Sequence, residues 1–335
     1  PGHRGCMVGN NSASVVADAY LKGLKGYDIE TLWEAVKHGA NAVHPQVSST
    51  GRLGYEYYNQ LGYVPYNVGI NENAARTLEY AYDDFALAQM AKALGKTDDY
   101  QALIRRAANY RNVIDPRTGY AQGRHADGTF LNDANAFNFA RFITEGAPCH
   151  YTWYVPQDPY GLMASMGGKD KYVAKLDSMF SEQRYWHGNE PCHQVAYMFN
   201  YAGEPWKTQR AVRHVMETEY LNEPGGLSGN DDAGQMSAWY VLAAAGLHPA
   251  CPGDTRMEIT SPVFDRIELR LDPAYAPGGT FTVVAHGNSP SNVYIQRAVL
   301  NGREHTASHL DFADIAAGGT LELYMGDTPN TRWGI

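Results

Sequence analysis

Residues 229–249, Gly-Asn-Asp-Asp-Ala-Gly-Gln-Met-Ser-Ala-Trp-Tyr-Val-Leu-Ala-Ala-Ala-Gly-Leu-His-Pro, place two adjacent carboxylates directly before an apolar helix. A turn rich in Gly and Asn leaves backbone groups available, and the N-terminus of the helix behind it favours nearby negative charge. Such a turn can keep a carboxylate ionised, as a general base or a metal ligand requires. The alternative is that Asp231 or Asp232 only caps the helix, and this stretch alone leaves both interpretations open.

Upstream of this stretch, apolar residues recur at the three- and four-residue spacing of helices. We expect a helix over 71–94 that ends at Gly95, because glycine commonly follows the last helical residue. The other expected helices cover 11–23, 28–40 and 97–112 and lie near 158–166, 169–180, 191–202, 205–217 and 233–245.

Downstream, after Cys251-Pro252-Gly253, apolar and polar residues alternate in short runs, which predicts strands. The runs are 257–260, 266–271, 279–285, 292–300 and 320–325. Asn301-Gly302 between two of them predicts a β-hairpin. We therefore divide the chain into a helical domain at 1–250 and a β module of five or six strands at 251–335. Five strands are few for a sandwich that stands alone.

Paired antiparallel helices joined by loops of varied length fit an open solenoid or a closed toroid. We find no fixed-period repeat between the helix pairs, which weakens the solenoid. In a toroid, the long loops would converge at one end and form a deep pocket.

Composition excludes several classes of function. The net charge of −9, from 36 acidic and 27 basic residues, argues against nucleic acid as the main partner. No run approaches the ~20 apolar residues of a membrane span. The four cysteines lack C-x-x-C spacing, and a chain of 335 residues favours thiols over disulfides. Since no initiator Met or signal peptide precedes Pro1, we expect a processed product or a piece of a larger protein.

Two further loops combine carboxylates with aromatic side chains. Residues 143–158 carry Glu145 ahead of Trp153 and two tyrosines, and residues 185–194 carry Glu190 with two imidazoles. Aromatic rings stack on the apolar face of a sugar, and carboxylate, amide and imidazole groups bind its hydroxyls. For a single tryptophan, a place in the core is the competing interpretation. Three such loops indicate a sugar-binding site.

Several short strings occur in a fixed order along the chain. They are Gly5-Cys6-Met7-Val8-Gly9, Gly62-Tyr63-Val64-Pro65-Tyr66, Thr77 to Asp84, Glu145-Gly146, Tyr151 to Pro156, Gly188-Asn189-Glu190-Pro191, Asn200 to Gly203, Pro205 to Thr208, Gly229 to Tyr240 and Tyr294-Ile295-Gln296. This ordered set resembles glycoside hydrolase family 92, the calcium-dependent exo-acting α-mannosidases. The resemblance covers essentially the whole chain.

The resemblance implies a multidomain α+β fold. In that family an N-terminal β-sandwich joins an (α/α)6 barrel, and C-terminal strands return to the sandwich. This chain resembles the later part of the barrel, an incomplete (α/α)6 toroid, followed by the C-terminal β-sandwich strands. We therefore expect the missing N-terminal part as a partner, present as a separate chain or lost as a segment.

By the same resemblance, Glu145 is the general acid and Asp232 the general base of an inverting hydrolysis. Asp231 and Asn230 would support the base, although some relatives carry an acid where this chain has Asn230. An inverting mechanism requires the two carboxyl groups roughly 6.5 to 9.5 Å apart, with a water between them. The chain would then remove terminal mannose from α-mannosides of glycans.

The resemblance also implies sugar-binding residues and a Ca²⁺ cofactor. The predicted calcium ligands are Asn189, Glu190 and Asp232, which offer the oxygen atoms that Ca²⁺ prefers. The predicted sugar contacts are His187, Asn189, His193, Trp153 and Asn230. Histidine is a poor calcium ligand, so His187 and His193 are expected to bind hydroxyls or to serve a structural role.

The chain departs from the family pattern at two positions. Ala147-Pro148-Cys149-His150 stands where many relatives have Asn-Ala-Trp-Gln, which changes the shape of that subsite. Gly188 stands where some relatives carry a Glu associated with linkage preference, so the linkage stays open. The alternatives are an inverting (α/α)6 glycosidase acting on α-glucosides and a non-catalytic glycan-binding fragment. The family implies a secreted, periplasmic or cell-surface protein.

Overall fold

The structure is a computed structural model that describes residues 8–43, 51–132 and 135–335. The chain divides into two compact units, one of Pro1–Tyr172 with Pro252–Asp254 and the other of Val173–Cys251 with Thr255–Ile335. We call them unit 1 and unit 2. The sequence changes from helical to strand-rich near residue 251, but the compact units divide elsewhere. The domain boundary at 250/251 therefore stays a prediction.

Unit 1 is helical. Its helices are α1 (Ser12–Leu21), α2 (Ile29–Ala40), α3 (Tyr55–Leu61), α4 (Asn73–Ala93), α5 (Thr97–Arg106), α6 (Pro148–Tyr151) and α7 (Pro159–Ser165). A 3-10 segment, Ala107–Val113, continues α5. The next helix, α8 (Lys169–Ser181), crosses the division between the units.

The helix α4 is the centre of unit 1. It is buried around most of its circumference, and α1, α2 and α5 pack against it. A helix buried on all sides is a core helix rather than a surface one. The expected end of this helix at Gly95 is confirmed, since Gly95 has a φ of +73° and donates its N–H to the Lys92 carbonyl at 3.1 Å.

An ion pair lies in the core beside α4. Arg52 Nη1 contacts Asp84 Oδ1 at 2.7 Å, and both side chains are fully buried. The Tyr58 hydroxyl and Arg106 Nε each donate to Asp84 Oδ2 at 2.9 Å. A buried carboxylate persists only when it is paired and hydrogen-bonded, and Asp84 meets that condition.

After α8, unit 2 continues with short helical turns. The single helix expected over 191–202 is wrong, because the chain forms two 3-10 turns, Glu190–Cys192 and Val195–Tyr197, and then α9 (Met198–Tyr201). The N–H groups of Cys192 and His193 donate to carbonyls three residues back, at 3.1 and 2.9 Å. Pro191 has no N–H to donate, so the tighter 3-10 turn leaves fewer backbone groups without partners. The longer helices follow as α10 (Pro205–Thr218) and α11 (Gln235–Ala244).

The C-terminal part forms two sheets in the described residues. A three-stranded antiparallel sheet has the order β1-β2-β7, and a five-stranded sheet has the order β3-β4-β8-β5-β6, in which β4 and β8 run parallel. The strands are β1 (Leu247–His248), β2 (Arg256–Ile259), β3 (Arg266–Arg270), β4 (Thr280–His286), β5 (Tyr294–Leu300), β6 (Arg303–His305), β7 (His309–Asp311) and β8 (Gly319–Gly326), with α12 (Phe312–Ala316) before β8.

Seven of the eight strands in the described part of the chain lie within 251–335, so the expectation of five or six strands there is too low. The additional strands β1, β6 and β7 have two or three residues, too few to show an alternating pattern. The hairpin at Asn301-Gly302 is confirmed: Leu300 pairs with Arg303, and both turn residues have positive φ, as a two-residue hairpin turn requires. The α+β class, a helical part followed by C-terminal strands, is also confirmed.

Three of the cysteines, Cys149, Cys192 and Cys251, are buried as thiols, and Cys6 lies outside the described residues together with the start of the Gly5–Gly9 string. A search of the described helices finds none with the length and apolar character to cross a membrane.

Two further acids of α4, Glu79 and Asp83, are buried. The Tyr151 hydroxyl donates to Glu79 Oε1 at 2.8 Å, and the Asn10 N–H donates to Asp83 Oδ2 at 2.8 Å. Burial, with the nearby charge of Asp83, raises the pKa of Glu79 to about 8. Burial raises the pKa of Asp83 to about 6.

These pKa shifts predict a fold that is more stable in mild acid. A carboxyl group that binds its proton more tightly in the folded chain stabilises the fold at low pH, and this contribution is lost as the pH rises through the folded pKa. For Glu79 the loss runs from its ordinary pKa of 4.5 to about 8. We expect the melting temperature to fall over this range and Glu79→Gln to reduce the fall. Glu56→Gln, at an exposed position on α3, is the control, and equal pH slopes in both variants would contradict the assignment.

Candidate functional site

Two loops of unit 2 are in contact through glycines. A Cβ atom on Gly229 would lie 2.3 Å from the carbonyl oxygen of Gly188, and one on Gly188 would lie 2.6 Å from the carbonyl oxygen of Ser228. Real Cβ atoms do not approach backbone that closely. Glycine at both positions therefore lets the loop at 185–194 lie against the turn that precedes α11.

The turn before α11 is stabilised by Asp231. Its Oδ1 accepts from the Ser237 N–H at 2.9 Å, and its Oδ2 accepts from the Ser237 hydroxyl at 3.1 Å. Its carbonyl accepts from the Gln235 N–H at 2.7 Å. The N-cap position itself is Gly234, which has no side chain, so Asp231 caps the first turn of α11 from three residues upstream.

Asp232 lies in a different environment from Asp231. Asp232, Ala233 and Gly234 have φ values of +42°, +59° and +98°, so three successive residues adopt a left-handed conformation. Outside glycine this conformation costs of order 1–3 kcal/mol per residue and persists only where the surroundings enforce it. The Asp232 side chain is exposed, as is that of Asn230. The cap thus leaves Asp232 available for chemistry.

His187 is fully buried, and both of its ring nitrogens contact tyrosine hydroxyls. Nδ1 lies 2.7 Å from the Tyr185 hydroxyl, and Nε2 lies 2.6 Å from the Tyr220 hydroxyl. Burial, followed by the neighbouring His193 and His248, lowers the pKa of His187 to about 2. No ring nitrogen remains for a sugar hydroxyl, so this geometry favours the structural role over the sugar contact.

His193 is buried beside His187, with the two rings stacked at 4.5 Å. Its Nε2 lies 3.0 Å from the His187 carbonyl oxygen, and its Nδ1 lies 3.4 Å from Gln235 Nε2. Burial lowers the pKa of His193 to about 4. The Trp239 indole N–H donates to the His193 carbonyl at 3.0 Å. This histidine too is surrounded by protein groups.

The predicted calcium ligands are all in unit 2. Asn189 is buried and Glu190 is half-buried, and both follow Gly188 directly in the chain. The backbone of Gly188 contacts Gly229, and Asp232 is three residues after Gly229. Among the residues with described positions, no three His, Cys, Asp or Glu side chains form a group that could hold a metal ion. Calcium also binds amide, carbonyl and water oxygens, so the amide of Asn189 and the carboxylates of Glu190 and Asp232 are donors of a suitable type. A calcium site at these residues would need backbone carbonyl and water oxygens in addition to the carboxylates.

The predicted acid, Glu145, belongs to unit 1. It is exposed and has a φ of +48°. The segment before it is bonded to the start of α4, because the Arg141 carbonyl accepts from the Glu72 N–H at 2.8 Å and the Phe142 carbonyl accepts from the Ala74 N–H at 3.1 Å. After it, the Tyr151 hydroxyl bonds to Glu79 of α4. The core helix thus positions the Glu145 turn from both sides.

Trp153 also lies in unit 1 and requires a correction. It is fully buried, and its ring packs edge-on against Tyr172 with centroids 5.2 Å apart. A sugar stacks only on an exposed ring face. We therefore assign Trp153 to the core rather than to a sugar-binding site.

The polar contacts around α11 include four residues to which sequence analysis assigned no role. They are Tyr185, Tyr220, Gln235 and Ser237. Ser237 lies six residues after Asp231, beyond the two- or three-residue spacing of an ordinary cap, so no local signal existed for it. Tyr220 shows no local signal, because its bonds to His187 and to the Met236 carbonyl depend on tertiary packing.

Comparison with known proteins gives a consistent result. The model of the glycosyl hydrolase family 92 catalytic domain matches residues 1–327. A family GH92 inverting mannosidase from Bacteroides thetaiotaomicron has 40% identity and a TM-score of 0.93 over 100% of this chain and 48% of its own. An α-mannosidase of the same family and organism, in complex with mannoimidazole, has 37% identity and a TM-score of 0.90 over 98% of this chain and 45% of its own.

A relative among curated proteins is an uncharacterized secreted glycosidase from Arthroderma benhamiae, 30% identical over 97% of this chain and 46% of the relative. The chain spans about half the length of the relatives it matches.

The contact between the glycine loops can be tested by adding one methyl group. We expect Gly229→Ala to lower the free energy of unfolding by about 1–3 kcal/mol, because its Cβ would clash with the Gly188 backbone. Gly225→Ala is the matched control, since no atom lies within 4 Å of a Cβ there. Urea unfolding measures both variants, and equal stability would show that the loops are not in contact.

Proposed function

Since the chain belongs to glycosyl hydrolase family 92, we propose that it forms part of the catalytic domain of an inverting α-mannosidase. The observation that carries the proposal is the family match together with the exposed Asp232 on the strained turn of unit 2. The substrate we propose is a glycan with a terminal α-linked mannose. The printed descriptions of the two bacterial relatives, a mannosidase and an α-mannosidase, support this substrate class.

In the proposed reaction, Asp232 takes a proton from water as the water oxygen bonds to the anomeric carbon. The bond from that carbon to the leaving oxygen breaks, and Glu145 gives its proton to this oxygen. The products are mannose of inverted configuration and the remaining glycan. Exchange with solvent then restores the proton on Glu145 and removes the one from Asp232.

The local geometry supports a different task for each acid of the pair. Asp231 binds the Ser237 backbone and hydroxyl and so fixes the turn. Asp232 is on the strained part of the turn with its side chain exposed. A general base must reach a water molecule and the substrate, which an exposed carboxylate can do. We therefore propose Asp232 as the base, with Asp231 as the residue that positions it.

The proposal for Glu145 as the acid rests on similar observations. Its side chain is exposed, its backbone is left-handed, and the segments on both sides are bonded to α4. Strained, well-supported turns are typical of functional sites. An alkoxide is a poor leaving group, so departure of the glycan oxygen requires protonation.

We further propose a Ca²⁺ cofactor, with Asn189, Glu190 and Asp232 as ligands together with carbonyl and water oxygens. Bound calcium would supply a positive charge that binds the ring hydroxyls of mannose. A secreted or cell-surface location is also proposed, supported by the description of the Arthroderma benhamiae relative as secreted. We also propose that a region equivalent to the rest of the relatives' length completes the sugar-binding surface.

Hydrolysis of an alkyl α-mannoside, whose alkoxide leaving group requires protonation, tests the proposed roles. We expect Glu145→Gln and Asp232→Asn each to lower kcat by about 10²–10⁴-fold, because each removes one proton-transfer group. Glu56→Gln and Asp170→Asn, at exposed positions, are the matched controls and should retain full activity. Excess chelator should abolish the activity, and added Ca²⁺ should restore it.

Each part of the proposal can fail separately. Release of glucose but not mannose from a panel of aryl α-glycosides would favour the α-glucosidase alternative. Glycan binding without turnover would favour the non-catalytic alternative. Activity that is indifferent to chelator would remove calcium from the proposal, and activity that survives both site substitutions would overturn the assigned roles.

A further inference from the structure

We infer that His187 is a positioning residue that orients the turn of the proposed general base through a directed hydrogen-bond network. This His187 network consists of Tyr185, His187, Tyr220 and the Met236 carbonyl, all in unit 2. The inference rests on the proposed function for its catalytic consequence. Its structural part rests only on the contacts described here.

The direction of every bond in the network follows from one acceptor. The Met236 carbonyl can only accept, so the Tyr220 hydroxyl donates to it, at 2.9 Å. The Tyr220 oxygen must then accept from a protonated His187 Nε2, at 2.6 Å. Because burial keeps the ring neutral, His187 Nδ1 then carries no proton and accepts from the Tyr185 hydroxyl, at 2.7 Å. Every group has one consistent role.

His193 adds a second, parallel connection. The His187 carbonyl can only accept, so His193 Nε2 carries a proton and donates to it, at 3.0 Å. His193 Nδ1 is then the acceptor for the Gln235 side-chain amide, at 3.4 Å. Gln235 and Met236 are the first two residues of α11. Both imidazoles thus connect to the first turn of the helix that Asp231 caps.

The turn needs this support because it is strained. Asp232 and Ala233 have positive φ, and the first three N–H groups of the helix all bond to Asp231, from Gln235 at 2.7 Å, Met236 at 3.4 Å and Ser237 at 2.9 Å. The Gln235 N–H also reaches the Asp232 carbonyl, at 3.4 Å. If Met236 shifted, Asp231 would lose its cap contacts and Asp232 would change orientation. The His187 network fixes the Met236 carbonyl and so opposes that shift.

Packing allows the network to be tested without removing a ring. Tyr220 stacks on Trp239 with centroids 6.0 Å apart, so Tyr220→Phe keeps the ring and deletes only the hydroxyl. Tyr240, on α11, has its ring 4.9 Å from that of Tyr220 but contributes no hydroxyl to the network. Tyr240→Phe is therefore the matched control.

The first experiment is hydrogen exchange of the peptides that cover residues 231–237. We expect Tyr220→Phe to speed exchange there by about tenfold or more, while Tyr240→Phe and the peptides of the five-stranded sheet remain unchanged. Equal exchange in the two variants would overturn the inference. If Tyr220→Phe does not fold, Tyr185→Phe replaces it, since its ring stays stacked on Phe180.

Nitrogen NMR of the imidazoles gives a second test that does not depend on activity. The inference requires a protonated Nε2 and a bare Nδ1 in both His187 and His193. The opposite tautomer at His187 would overturn it, because Tyr220 could not then donate to Met236.

Kinetics on the native protein separate positioning from sugar binding. We expect Tyr220→Phe to lower kcat about tenfold with KM changed less than about twofold, because the base is displaced but the sugar contacts remain. His187→Gln should retain more activity than His187→Ala, since its amide nitrogen can donate to Tyr220.

A raised KM with unchanged kcat would overturn the positioning role. A wild-type protein without any α-mannosidase activity would contradict the proposed function, whereas the exchange and NMR results would still decide the network.

Discussion

The N-terminus of α11 is the constraint on which the candidate site depends. Three successive left-handed residues precede this helix, and such a turn is stable only when its neighbours enforce it. The Asp231 cap acts from within the turn, and the backbone contact between Gly188 and Gly229 brings a second loop against it. The conformation of Asp232 is the product of these contacts. The two glycines, the Asp231 cap and the two histidines therefore together hold the turn that carries the exposed Asp232 carboxylate.

Buried and exposed polar groups have separate tasks in this chain. The buried imidazoles of His187 and His193 are neutral and have protein partners at both ring nitrogens. The exposed carboxylates Glu145 and Asp232 lie on turns whose flanking residues are bonded to helices. Burying a polar group without a partner is costly, so the interior groups are committed to structure. The two carboxylates that we propose as catalytic groups are exposed within their own units.

Sequence reasoning succeeded where the signal is local. The helical spacing over 71–94, Gly95 after α4 and the Asn301-Gly302 hairpin each depend on neighbouring residues, and all three are confirmed. Strands of two or three residues were missed because alternation needs a longer run. In the site, the roles of the glycine-flanked acids Glu145 and Asp232 stay predictions, and the structure adds that both residues have positive φ. Trp153 was misassigned because burial is set by tertiary packing, and no pattern of neighbours reveals which aromatic residue faces the interior.

The most direct test of the account is the configuration of the sugar when it is first released. Proton NMR during hydrolysis of an α-mannoside distinguishes the two anomers before they interconvert. The account predicts that β-mannose appears first and that α-mannose forms only later by mutarotation, since the proposed base directs water to the face opposite the leaving group. Initial release of α-mannose would contradict it, because retention requires a covalent intermediate on a carboxylate rather than attack by water.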